Sequence, residues 1–205
     1  MRKTDSTPFL DLAFCMMFGF VMLFAVAVLQ IKEESQKKDI KTYAEYIIAL
    51  TWQERIDHDV DIWVRDPQEN LLFFRSKEVG IMHLDRDDLG NMNDTYEEGG
   101  EVKIAPTNQE IVTIRGYMSG EWIINTHFYR VGKNDPDKVA RCKITITKLN
   151  PSAQIVLNKY FVLEGYWQEK TIARFLMTQQ GEFFLQETIP INFVTSKLSM
   201  SGTYD

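Results

Sequence analysis

Hydrophobic and polar positions give this chain two textures. From Leu12 to Ile31 almost every position is apolar. That run is about 20 residues long, the length at which one helix crosses a hydrocarbon core. The pattern predicts a polar tail over 1–7, a transmembrane helix over 8–31 and a charged linker over 32–43. From residue 44 the apolar positions are short, β-branched and aromatic, and polar turn signals interrupt them. This second texture predicts an all-β antiparallel, sandwich-like extracytoplasmic domain over 44–195 and a polar tail over 196–205. The fold class expected is a single N-terminal transmembrane α-helix followed by that domain.

Within the β-region, Tyr46–Trp52 reads as a strand, although Tyr43, Ile47 and Leu50 also fit one face of a helix. Asp59-Val60-Asp61-Ile62-Trp63-Val64 alternates with period two, the pattern of a half-buried strand. Asp66–Asn70 is a turn, and Leu71–Phe74 returns as a strand. The polar stretch from Asp85 to Gly100 reads as a loop. Further strands are expected at Val102–Ala105, Glu110–Gly116, Trp122–Val131, Arg141–Leu149, Gln154–Leu163, Lys170–Met177 and Phe183–Phe193. Turn signals such as Gly132-Lys133-Asn134-Asp135-Pro136 and Asn150-Pro151-Ser152 separate them.

Composition narrows the function classes. A net charge of −6 leaves no basic footprint for nucleic acid. Cys15 falls in the apolar run and Cys142 in the polar part, so no disulfide framework is expected, and Cys142 reads as a small core residue. Lys and Arg flank the helix too evenly to fix its orientation. A cleaved signal peptide is an alternative reading of the run, but the small-residue cleavage site expected after Gln30-Ile31 is missing. Asp11, Cys15, Phe18, Met22 and Ala25 recur at helical spacing and share one face.

The candidate chemistry is sparse. Acidic residues cluster at Asp57, Asp59, Asp61 and Asp66, and again at Asp85, Asp87, Asp88, Asn91, Asn93 and Asp94. The second run lacks the EF-hand order, because Leu89 stands where a ligand should precede Gly90. Both clusters read as solvated loop charge, with calcium binding left open. His58, His83 and His127 have no zinc spacing, and no nucleophile motif or phosphate loop is present. No enzyme constellation and no cofactor are expected. That leaves Asp11, a lone acid at the mouth of the apolar run. It either carries an ion or caps the helix and snorkels into headgroups.

Thr7-Pro8-Phe9-Leu10-Asp11 resembles the Thr-Pro-Phe-Ile-Asp opening of ExbD-type helices. Asp11-Leu12 followed by Phe20-Val21-Met22-Leu23-Phe24 is similar to the MotB-type helix. The resemblance, over about residues 7–31, is to the B-type subunits of ion-driven membrane motors, the ExbD, TolR and MotB group. It implies that Asp11 is the carboxylate past which H⁺ or Na⁺ is translocated. It also implies a homodimer inside a pentameric, multi-helix A-type membrane subunit. The place implied is the bacterial inner membrane, with the N-terminus cytoplasmic and the C-terminal domain periplasmic, facing an extracytoplasmic target. The β-region departs from that group. Residues 45–205 carry no MotB-type peptidoglycan-binding signature. Leu50-Thr51-Trp52, Asp59–Pro67 and Gly120–Asn125 loosely resemble bacterial pre-peptidase C-terminal sandwiches. The other reading is a single-pass anchored binding or sensor module, in which the helix only tethers.

Overall fold

A computed structural model of the chain describes residues 7–30, 43–90, 94–133 and 138–194. The expected N-terminal tail, linker and C-terminal tail lie outside these residues, apart from Thr7 and Tyr43. The chain forms two compact units, residues 1–40 and 41–205.

The first unit is helix α1, Thr7–Gln30. Leu, Met, Ala and Phe dominate it, and Pro8 falls in the first turn, where a missing N–H breaks no helical bond. The window Phe9–Val26 has a mean hydropathy of 2.3, and none of it is buried. A helix apolar on every side cannot rest in water and needs lipid or protein around it. It has the length and composition of a membrane anchor or a signal sequence.

The second unit is a β-sandwich. One sheet has six strands in the order β11(Gln154–Glu164)-β10(Val139–Lys148)-β1(Tyr46–Trp52)-β8(Asn108–Ile114)-β5(Met82–Arg86)-β4(Glu78–Val79). The other has five, β13(Phe183–Leu185)-β12(Glu169–Met177)-β9(Gly120–Arg130)-β2(Asp59–Arg65)-β3(Leu71–Leu72). A separate ribbon pairs β6(Thr95–Glu98) with β7(Glu101–Ile104). Every named pairing is antiparallel, and alternation explains the core. Tyr46, Ile48, Leu50 and Trp52 of β1 point inward, as do Val112 and Ile114 of β8. Val60, Ile62 and Val64 of β2 and Trp122, Ile124 and Phe128 of β9 meet them from the facing sheet.

Four expectations need correction. Strand β2 is buried on both faces rather than half-buried, because residues 186–194 cross the outer side of the five-stranded sheet. Phe193 joins Trp63, Phe73 and Ile123 in a second apolar cluster there. The crossing also shortens the expected strand Phe183–Phe193 to Phe183–Leu185. Pro190 cannot donate to a ladder. Its neighbours bond to side chains instead: Ile191 N–H to Thr171 Oγ1, and the Phe193 and Val194 N–H groups to the Glu169 carboxylate. The strand expected at Leu71–Phe74 stops at Leu72, where Phe73 and Ser76 form a tight turn. The loop expected from Asp85 to Gly100 contains the end of β5 and all of β6.

Candidate functional site

Asp11 is the fifth residue of α1 and the only charged one in it. Its amide therefore has a helical partner position at Thr7, one turn back. A helix-capping residue would stand before the first turn, with its side chain on an orphan amide. Asp11 is placed instead within the apolar window and is exposed there. No other acid, base or amide accompanies it between Phe9 and Val26.

The β-domain contains a site that the charge clusters hinted at but did not define. Asp61 on β2, Glu110 on β8 and Asp87 just beyond β5 each bring one carboxylate oxygen within 4.8 Å of the other two. Three features of the fold produce this meeting. Glu110 holds an inward position on β8, in register with Val112 and Ile114. Between Asp59 and Ile62, strand β2 has a free edge, because β3 pairs only with Val64 and Arg65. Glu110 Oε2 fills that edge by accepting the Ile62 N–H at 2.5 Å. The third feature is the register shift between Leu84 and Arg86. A bulge of this kind bends a strand end and re-aims its side chains.

The loop carrying Asp87 is itself fastened. Asp88 is fully buried and accepts the N–H groups of Gly90 at 3.0 Å and Gln109 at 2.8 Å. Arg130 forks onto Asp57 at 3.0 and 3.1 Å and donates to the Leu89 carbonyl at 2.9 Å. Gly90 has φ +67°, and a Cβ there would come within 2.6 Å of Asp57 Oδ1. Only glycine closes the loop this tightly.

Burial without sufficient positive charge sets the electrostatics. Asp61 and Glu110 are 3% and 1% exposed. Burial pushes the Glu110 carboxyl well above its usual range, the Asp61 charge adds to that, and the Ile62 N–H opposes it. Burial also raises Asp61, against the pull of His127. Asp59, beside them, is pushed up to about 7 by burial and by Asp61, with Arg130 opposing. Lys77 supplies a cation at the edge of the cluster, its Nζ 2.7 Å from Asp87 Oδ2. His127, 1% exposed, sets Nδ1 3.5 Å from Asp61 Oδ2, and neither ring nitrogen has a hydrogen-bond partner. Trp167 roofs the imidazole, with ring centroids 5.0 Å apart.

No protein-family description and no curated protein matches the chain. One solved structure, described as the unknown-function protein SAV2460, is similar at 13% identity and a TM-score of 0.46, covering 78% of this chain and 99% of that one. A likeness at that level says nothing about site residues.

The other acids of the two clusters have local duties. Asp66 accepts the amides of Gln68 and Asn70 and so organises the turn expected there. Asp94 pairs with Arg86, and Asp85 with His83. The reading of both clusters as solvated loop charge is overturned, since Asp59, Asp61, Asp66, Asp88 and Asp94 are all buried. Asn91 and Asn93 lie outside the described residues. Cys142 is buried as expected, which pushes its thiol up to about 12. A groove of about 610 Å³ opens beside Thr51, Arg141, Lys143 and Tyr160 and shares no residue with the carboxylate site. Sequence reading missed Glu110 and His127. The signal for Glu110 was a carboxylate in the same strand register as Val112 and Ile114.

Proposed function

We propose that the chain is a B-type subunit of a proton- or Na⁺-driven membrane motor, with Asp11 as the ion carrier. The observation that carries this reading is a single carboxylate one turn inside a helix with no other charged residue, within its apolar window Phe9–Val26. An acid at the bilayer centre costs about 2.5–3.5 kcal/mol on insertion scales, and protonation or ion pairing lowers the cost of its charge. Such a group alternates between a neutral form that slides along an apolar surface and a charged form that seeks a polar partner. Each charge moved through the membrane potential supplies about 2.3 kcal/mol per 100 mV. The Thr-Pro-Phe-Leu-Asp opening supports the same role.

In this reading α1 works as one of a pair inside a pentameric A-type subunit, which covers its exposed apolar sides. The N-terminus is cytoplasmic and the β-domain meets a target across the inner membrane. The chain performs no covalent chemistry and holds no cofactor in the helix. Asp11→Asn tests the proposal in a complex purified with its multi-helix partner and placed in proteoliposomes. The variant complex should assemble normally and lose ion flux. Full flux through Asp11→Asn contradicts the proposal. So does a chain that functions with no multi-helix partner. Cysteine substitutions along α1 should also crosslink two copies of the chain.

A second reading has its own observation. A membrane-anchored binding module would need its chemistry in the β-domain, and the clustered carboxylates of Asp61, Asp87 and Glu110 are there. Retained activity in Asp11→Asn together with lost activity in Glu110→Gln would favour it.

A further inference from the structure

We propose that Asp61, Asp87 and Glu110 form a binding site for one calcium ion. The site belongs to the β-domain and does not depend on the role given to Asp11. The donors are all oxygens, which suit a hard cation rather than zinc or copper. Magnesium demands near-ideal octahedral geometry, keeps several waters and is usually held by one or two carboxylates, whereas calcium accepts a larger, irregular set of protein oxygens. The three oxygens here lie within 4.8 Å of one another, close enough to share one ion.

Charge supplies the second argument. Three carboxylates face one ammonium, Lys77, which is half exposed and touches only Asp87 among them. A buried charge stays charged only when it is paired. One divalent cation neutralises the remainder: three negative charges against Lys77 and Ca²⁺.

Unpartnered polar atoms supply the third. Glu110 Oε1 is sealed from solvent with no donor outside the acidic cluster, and Asp61 Oδ2, equally sealed, has only the long approach of His127 Nδ1 at 3.5 Å. Buried polar atoms in native folds nearly always have partners. His127, outside the acidic set, is also sealed, lacks a hydrogen-bond partner and turns Nδ1 toward Asp61. An imidazole there orients a ligating carboxylate from behind, as outer-shell groups do at metal sites. Asp87, 10% exposed at its side chain, is where an ion would enter.

The experiment uses the full chain in detergent micelles, stripped with chelator, with calcium and then magnesium added during calorimetric titration and thermal unfolding. One calcium should bind per chain, more tightly than magnesium, and a hundredfold excess over Kd should raise Tm by about 5 °C or more. Glu110→Gln and Asp87→Asn keep the side-chain shape and relieve repulsion, so both should fold. Each should weaken calcium binding at least about tenfold. Asp85→Asn, on a half-exposed acid of the same segment, should bind as the unaltered chain does. The proposal is overturned if up to about 10 mM calcium produces no saturable heat and no Tm rise. It is equally overturned if magnesium binds as tightly, or if Glu110→Gln and Asp87→Asn both retain full affinity. Equal weakening by Asp85→Asn would place any ion on the surface loop instead. If one ligand variant does not fold, the other and the unaltered chain decide.

Discussion

The helix and the β-domain treat carboxylates in opposite ways. Asp11 is one acid in an apolar helix, and no other polar residue between Phe9 and Val26 could answer its charge. Asp61, Asp87 and Glu110 are three acids that the fold itself brings together, burying Asp61 and Glu110. In the first case no partner stands beside the acid within the apolar window. In the second the surroundings are built by strand register, a free sheet edge and a fastened loop. The contrast teaches where to look for coupling. In the proposals above, the helix site is fixed by sequence and would be completed by assembly, while the domain site is fixed by folding and would be completed by an ion.

That contrast can be broken most strongly through the core. Trp122 is fully buried between the sheets, whereas Phe20 of α1 is 72% exposed. Trp122→Ala should destabilise the β-domain by about 3–5 kcal/mol in denaturant unfolding. Phe20→Ala should leave that transition unmoved. A smaller loss is expected from Asp88→Ala, which strips the acceptor from two amides, Gly90 and Gln109. About 2–4 kcal/mol of stability should go with it, and calcium affinity should fall because Asp87 loses its position.

pH sharpens the comparison further. In chelator, burial pushes folded Asp59 up to about 7, with Asp61, Asp87 and Asp88 adding to the rise and Arg130 opposing it, against about 4 when unfolded. Between those values the folded chain holds a proton that the unfolded chain has released, so stability declines as pH rises. The stabilisation is complete below about pH 4 and gone once pH passes about 7. Tm measured from pH 5 to pH 8 should fall accordingly, and Asp59→Asn should flatten the slope. The smallest effect is expected from Asp11→Asn, which should shift β-domain unfolding by less than about 0.5 kcal/mol.

The helix was legible because its evidence is contiguous: an apolar run with one interrupting acid needs no tertiary information. The sandwich was legible because Tyr46–Trp52, Gln154–Leu163 and Lys170–Met177 alternate between turn signals, and each is a strand within a residue or two. What failed depended on contacts distant in sequence. Residues 186–194 kept the apolar composition of a strand, but they bond to Glu169 and Thr171 and cover β2. The acidic runs read as solvated because local charge density cannot reveal that a carboxylate will be carried under another sheet. Asp61 and Glu110 are 49 positions apart in sequence, and only the pairing of the two sheets makes them neighbours.

The central claim is that the single acid of α1 carries the ion. Flux through proteoliposomes holding the purified complex, compared between the unaltered chain and Asp11→Asn under one imposed membrane potential, tests it most directly. Voltage-driven H⁺ or Na⁺ flux is expected in the first and background leakage in the second, with equal amounts of assembled complex. Equal flux in both would show that Asp11 is an anchor residue and would contradict the account.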